Sequence, residues 1–164
     1  MTKWIKLIEN QYLGFWSIGI ILFILQEIPY MVMPFIKLEN NPIMNMPETS
    51  MILNIIEKIL GSLCIALMIF VIHNDMTLFS IGAGIQKIAF VSMIIILLLN
   101  YFGWMLYFKG YQSVVVMMLF IVFLPPLYYV CIGVWRENWI LVYTGITFFF
   151  IHSIHTFKNL NAMN

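Results

Sequence analysis

The chain has 164 residues, of which 63% are hydrophobic and 9% charged, with a formal net charge of +1. Soluble domains carry about 25% charged residues, so this composition excludes an ordinary water-soluble fold. The near-neutral charge also excludes a nucleic-acid binder, which would need a basic patch.

Five long apolar stretches predict an all-α, polytopic integral membrane protein. The expected form is a five-transmembrane-helix bundle with a short N-terminal interfacial segment, built as a single domain over residues 1–164. Each stretch meets the roughly 20 apolar residues that cross a bilayer, so the lipid bilayer is the first expected partner. The two cysteines, Cys64 and Cys131, fall inside the stretches without a CxxC spacing and read as small apolar residues.

Residues 1–11, read as a helix, set Trp4, Ile5 and Ile8 against Lys3, Lys6 and Glu9, which predicts an interfacial segment. The first span covers about 12–36. It is too long for a cleavable leader, and it holds Gln26, Glu27, Pro29 and Pro34 in its second half. Each proline frees a backbone carbonyl, which a neighbour or water must satisfy. A polar loop follows, and Thr49 or Ser50 caps the second span, about 51–73. The turn His73-Asn74-Asp75 ends that span, with His73 expected to be solvated.

The third span covers about 78–108. It exceeds what a bilayer needs, so its glycine-bearing start is expected at the interface, as a separate turn, or in close helix contact through Gly82 and Gly84. The fourth, about 113–135, must break or kink at Pro125-Pro126. The fifth covers about 139–157. The Lys3/Lys6 pair beside the first span favours a cytoplasmic N-terminus, and an odd number of spans then leaves the C-terminus outside. Trp4, Trp16, Trp135 and Trp139 would belt one interface, and Trp104, Tyr107 and Tyr111 the other. Richness in Ile, Asn, Met and Lys suggests a bacterial source and hence a bacterial plasma membrane.

Polar residues gather at one depth. At 1.5 Å rise per residue, Glu27, Glu57, Asn100 and His152 all lie roughly 8–13 Å from the same end of their spans. Helical spacing puts Asn54, Glu57, Gly61 and Cys64 on one face. It does the same for Asn100, Gly103, Trp104 and Tyr107, and for Gly145, Phe148, His152 and His155. Ionisable groups inside a span are costly and turn inward toward partners. Two readings follow. Lys58 pairs with Glu27 or Glu57 as structural glue, or Glu27, Glu57, Asn100 and His152 line a small polar ligand-binding pocket.

His152 and His155 lack the glutamate of HExxH, so they read as polar interfacial residues, with no metal and no cofactor expected. The thirteen scattered methionines are packing residues. The expected role is binding or moving a small solute, or acting as an accessory subunit of a transporter, with a small-molecule ligand or a partner membrane subunit. An intramembrane Glu/His enzyme and an immunity or assembly factor are the alternatives.

Overall fold

The structure is a computed structural model that describes residues 2–74 and 77–163. Asp75, expected beside His73, lies outside the described residues. Among the described residues, five helices are long and apolar enough to cross a membrane. They are α1 (Ser17–Val32, extended by a 3-10 turn at Met33–Phe35), α2 (Met51–Phe70), α3 (Ile85–Phe108), α4 (Val114–Trp135) and α5 (Trp139–Asn161). Successive helices alternate in direction. One end of the bundle gathers the residue 36–50 loop with the 109–113 turn, and the other gathers residues 2–15, 71–74, 77–80 and 136–138.

The all-α expectation is corrected at that second end, which carries a three-stranded antiparallel sheet. Its order is β1 (Thr2–Ile8), β2 (Gln11–Phe15), β3 (Val71–His73). The N-terminal segment is therefore not a helix. Ile8 pairs with Gln11 across a two-residue turn in which Glu9 has φ 48°. That compact turn closes a hairpin, and Ile5, Ile8, Trp4, Tyr12 and Phe15 are the β-branched and aromatic types strands favour. The end of α2 unwinds into β3, and Gln11 through Leu13 pair with it. Gly14 is required here, because a Cβ would lie 2.2 Å from the Thr2 carbonyl oxygen. His73 is correspondingly a half-buried strand residue 3.5 Å from the Glu137 carboxylate, not a solvated turn residue.

Residues 78–84 are irregular, and α3 starts only at Ile85. Gly82 and Gly84 have φ of 73° and 55°, left-handed values that end a helix for ordinary residues. The carbonyls of this segment are held instead by side chains. Trp16 Nε1 donates to Leu78 O at 2.8 Å, Trp135 Nε1 to Ser80 O at 2.8 Å, and Arg136 Nη2 to Thr77 O at 3.0 Å. Trp16 and Trp135 are thus core residues rather than surface belts, as are Trp104 and Tyr107 at the other end.

The prolines explain much of the interhelical polar bonding. Within α4, residues Met117–Val122 take a π turn, and Phe123 N–H bonds back to Met118 O. In that register the carbonyls of Phe120 and Ile121 would be served by residues 125 and 126, both prolines without an N–H. Asn100 of α3 donates to Phe120 O at 2.8 Å, and Tyr30 of α1 donates to Ile121 O at 3.4 Å. Pro29 likewise frees Leu25 O, which accepts from the Tyr101 hydroxyl. Gly103 lets α3 approach the π turn, since a Cβ there would lie 2.1 Å from Phe120 Cβ.

Candidate functional site

Helices α2 and α5 face each other below the residue 36–50 loop. The α2 face read from the sequence is the one that packs. Cys64 is fully buried, and Gly61 sits where a Cβ would meet the Phe148 ring at 3.3 Å. One turn earlier on that face is Glu57, and another turn earlier is Asn54. Ser50 caps α2 by accepting from Leu53 N–H at 3.4 Å, so these first turns are held helical.

Glu57 receives both histidines of α5. His152 Nδ1 lies 2.9 Å from Glu57 Oε1, and His155 Nδ1 contacts Glu57 Oε2. His152 also stacks on Phe148, with ring centroids 5.1 Å apart. The i, i+3 spacing puts both imidazoles on one face of α5, and a single carboxylate oxygen serves each.

The hydrogen-bond network settles the proton positions at His155. Asn159 Oδ1 accepts from the Thr49 backbone N–H at 3.0 Å and from the Thr49 hydroxyl at 2.5 Å. Only the amide oxygen can accept there, so the Asn159 Nδ2 side faces His155 Nε2, at 3.1 Å. His155 Nε2 is then an acceptor, its proton sits on Nδ1, and Nδ1–H donates to Glu57. The chain runs unbroken from the residue 36–50 loop to the carboxylate. At His152, Nδ1 is held by Glu57, with the Thr156 hydroxyl at 3.5 Å, while Nε2 makes no hydrogen bond to any described residue.

A cavity of about 230 Å³ opens against this cluster. Its polar wall is Asn54, Glu57, His152, Thr156 and Tyr30. Its apolar wall includes Met117, Ile121 and Val122 of the π turn, and Ile43 and Met46 of the loop lie over it. That loop is tied down independently: Tyr107 OH donates to Asn41 Oδ1 at 2.6 Å and accepts from Ile43 N–H at 3.1 Å. The Asn54 amide, like His152 Nε2, makes no side-chain hydrogen bond to a described residue. At a share of roughly 30 Å³ per water, the space suits a solute of about eight water volumes.

Of the four residues expected to form the pocket, Glu57 and His152 come together. Glu27 does not line the cavity. It is half-buried on α1, within electrostatic reach of Tyr30, and makes no ion pair or hydrogen bond among the described residues. Asn100 is buried and holds the Phe120 carbonyl rather than the cavity. Lys58, the next residue of α2 after Glu57, is exposed and forms no ion pair among the described residues. His155, Asn54, Tyr30, Thr49, Thr156 and Asn159 belong to the cluster. The sequence signal for Thr156 and Asn159 was their i+4 spacing from the two histidines.

Among the described residues, no group of three or more His, Cys, Asp or Glu side chains is placed to hold a metal ion. The geometry gives the reason. The two imidazoles address different oxygens of Glu57 and do not converge with it on one point. The arrangement can accept, hold and pass a proton. For nucleophilic catalysis it offers little, because the Thr156 hydroxyl meets the same His152 nitrogen that Glu57 occupies.

Comparison of the chain with models of protein families, with curated proteins and with solved structures finds no match.

Proposed function

We propose that this chain is a multi-pass protein of a bacterial plasma membrane that binds a small polar solute in the Glu57–His152–His155 cavity and exchanges a proton with it. Its role would be to move that solute or to serve as an accessory subunit of a transporter. The N-terminus would be cytoplasmic and the cavity would open toward the outer half, following the Lys3/Lys6 pair.

The observation that carries this reading is His152, a residue of the cavity wall whose Nδ1 is anchored by a carboxylate and whose Nε2 makes no hydrogen bond to a described residue. An imidazole held in this way presents one oriented acceptor, and Glu57 stabilises the cation formed when it takes a proton. The Asn54 amide offers a second polar contact, and the Ile121 and Met46 side chains suit an apolar portion of the ligand. A small solute with an N–H or O–H donor and a short apolar body fits this lining.

The test is a thermal-shift screen of small amphipathic alcohols, amines and acids on the detergent-solubilised chain. A ligand of the site should raise the melting temperature of the natural chain and leave that of His152→Phe unchanged. It should also bind more weakly to Glu57→Gln. Equal shifts in all three proteins would refute the assignment of the cavity.

A further inference from the structure

Two further cavities, neither lined by Glu57, lie along α3 and its C-terminal end. Ile28, Pro29 and Val32 of α1 face Tyr101, Trp104 and Met105 of α3 across an apolar groove of about 410 Å³. The Tyr101 hydroxyl donates to Leu25 O, the α1 carbonyl that Pro29 frees. Trp104 forms part of the wall, and its indole N–H has no hydrogen-bond partner among the described residues.

At the loop end of the groove, Phe108 and Lys109 also line a polar cavity of about 490 Å³. Lys37, Glu39, Asn40 and Gln112 complete it. Gln112 Nε2 donates to Asn40 O at 3.0 Å and to Tyr107 O at 3.3 Å, which ties the loop to the end of α3 and gives this cavity a fixed wall. Two lysines stand against one carboxylate, so the cavity complements a single negative charge.

We infer that these joined cavities form a binding site for one anionic phospholipid, its phosphate beside Lys37 and Lys109 and an acyl chain in the α1–α3 groove. The chemistry requires both halves. An apolar groove alone accepts any hydrocarbon, and two exposed lysines alone attract any anion. The shared residues Phe108 and Lys109 place the change from apolar to basic lining where a lipid changes from chain to headgroup. The inference rests on the reading of these helices as membrane spans and is independent of the solute proposed for the Glu57 cavity.

Native mass spectrometry of the detergent-solubilised full chain tests it with three probes: phosphatidylglycerol, phosphatidylcholine and inorganic phosphate. One phosphatidylglycerol should bind roughly tenfold more tightly than phosphatidylcholine, as two interfacial lysines allow. The preference should vanish in the double variant Lys37→Gln/Lys109→Gln and persist in Lys58→Gln, whose lysine lies elsewhere. Met105→Trp, which fills the groove, should weaken phosphatidylglycerol binding without altering the weak binding of inorganic phosphate.

Equal binding of the two lipids, or an unchanged preference in the double variant, would overturn the site. So would inorganic phosphate binding as tightly as the lipid, which would mean a free-anion site. Flotation with phosphatidylcholine vesicles separates the two levels. A chain that floats but shows no headgroup preference retains the membrane reading and loses this site, whereas a chain that fails to float loses both.

Discussion

The two ends of the bundle use similar polar side chains for opposite purposes. At the sheet end, Trp16, Trp135 and Arg136 donate to backbone carbonyls of the irregular 77–80 stretch, and Asn138 donates to carbonyls where α2 passes into β3. Asn138 alone bridges Leu67 O at 3.0 Å and Val71 O at 3.1 Å, and its Oδ1 caps α5 by accepting from Leu141 N–H. Arg136 stacks 4.3 Å from the Trp16 ring, and burial lowers its guanidinium to about 10, still charged at neutral pH. At the loop end, Glu57, His152, His155 and Asn159 bond chiefly to one another around a void, and His152 Nε2 and Asn54 are left open. Polar groups that satisfy backbone hold a fold together. Polar groups that satisfy each other beside a cavity can change partners when a ligand or a proton arrives.

If that contrast is right, the largest stability loss belongs to the sheet end. Asn138→Leu removes a helix cap worth about 1 kcal/mol, takes the side-chain donor from Val71 O at about 1–2 kcal/mol, and takes one of two donors from Leu67 O, which keeps the Val71 N–H. A total near 3 kcal/mol should be read in thermal or denaturant unfolding in detergent. A loss under about 1 kcal/mol would mean that the sheet end is not the structural end.

Glu57→Gln should cost less, about 2 kcal/mol. Its amide keeps one acceptor for two imidazole donors and so strands one charge-assisted bond. Its larger effect should be on ligand and proton binding. Unfolding measured beside the thermal-shift screen separates the two effects, and a loss larger than that of Asn138→Leu would reverse the comparison.

The third test addresses the chain from the carboxylate to the loop. Asn159 ties Thr49 of the loop to His155, accepting from the Thr49 N–H and hydroxyl and donating to His155 Nε2. Asn159→Leu removes all three bonds, so trypsin cleavage after Lys37 and hydrogen exchange of residues 41–49 should be faster than in the natural chain at the same pH. Unchanged rates in Asn159→Leu would show that the loop is not latched this way.

The smallest effect is expected at Lys58. It is exposed and unpaired among the described residues, so Lys58→Met should change stability by no more than about 0.5 kcal/mol. A severe defect would restore the ion-pair role that the sequence also allowed and would draw Glu57 back into the structural class.

Much of this was legible without coordinates. The five apolar helices follow from stretch length and composition, which are local properties. So do the break at Pro125-Pro126 and the need for side chains to serve the freed carbonyls, because a missing N–H is a fact of covalent structure. The shared faces of α2, α3 and α5 follow from helical spacing, and Cys64, Asn100 and Tyr107 are buried as that spacing implies. The N-terminal strands were misread because Trp4, Ile5 and Ile8 also satisfy a helical pattern, and strand pairing with Val71–His73 is non-local.

Sequence position alone set where Glu27, Glu57, Asn100 and His152 fall along their helices, since distance along a helix is a linear function of residue number. It could not determine rotation about the helix axis relative to neighbours, which packing sets. Spacing along the chain treats Glu57 and Glu27 alike, yet Glu57 is the one that faces α5, across 95 residues of chain to His152. The tertiary structure alone decided that one carboxylate meets two histidines, that Asn100 serves a π turn, and that Thr49 reaches Asn159. Each of those is a contact between distant segments, and its energy depends on geometry that no single segment carries.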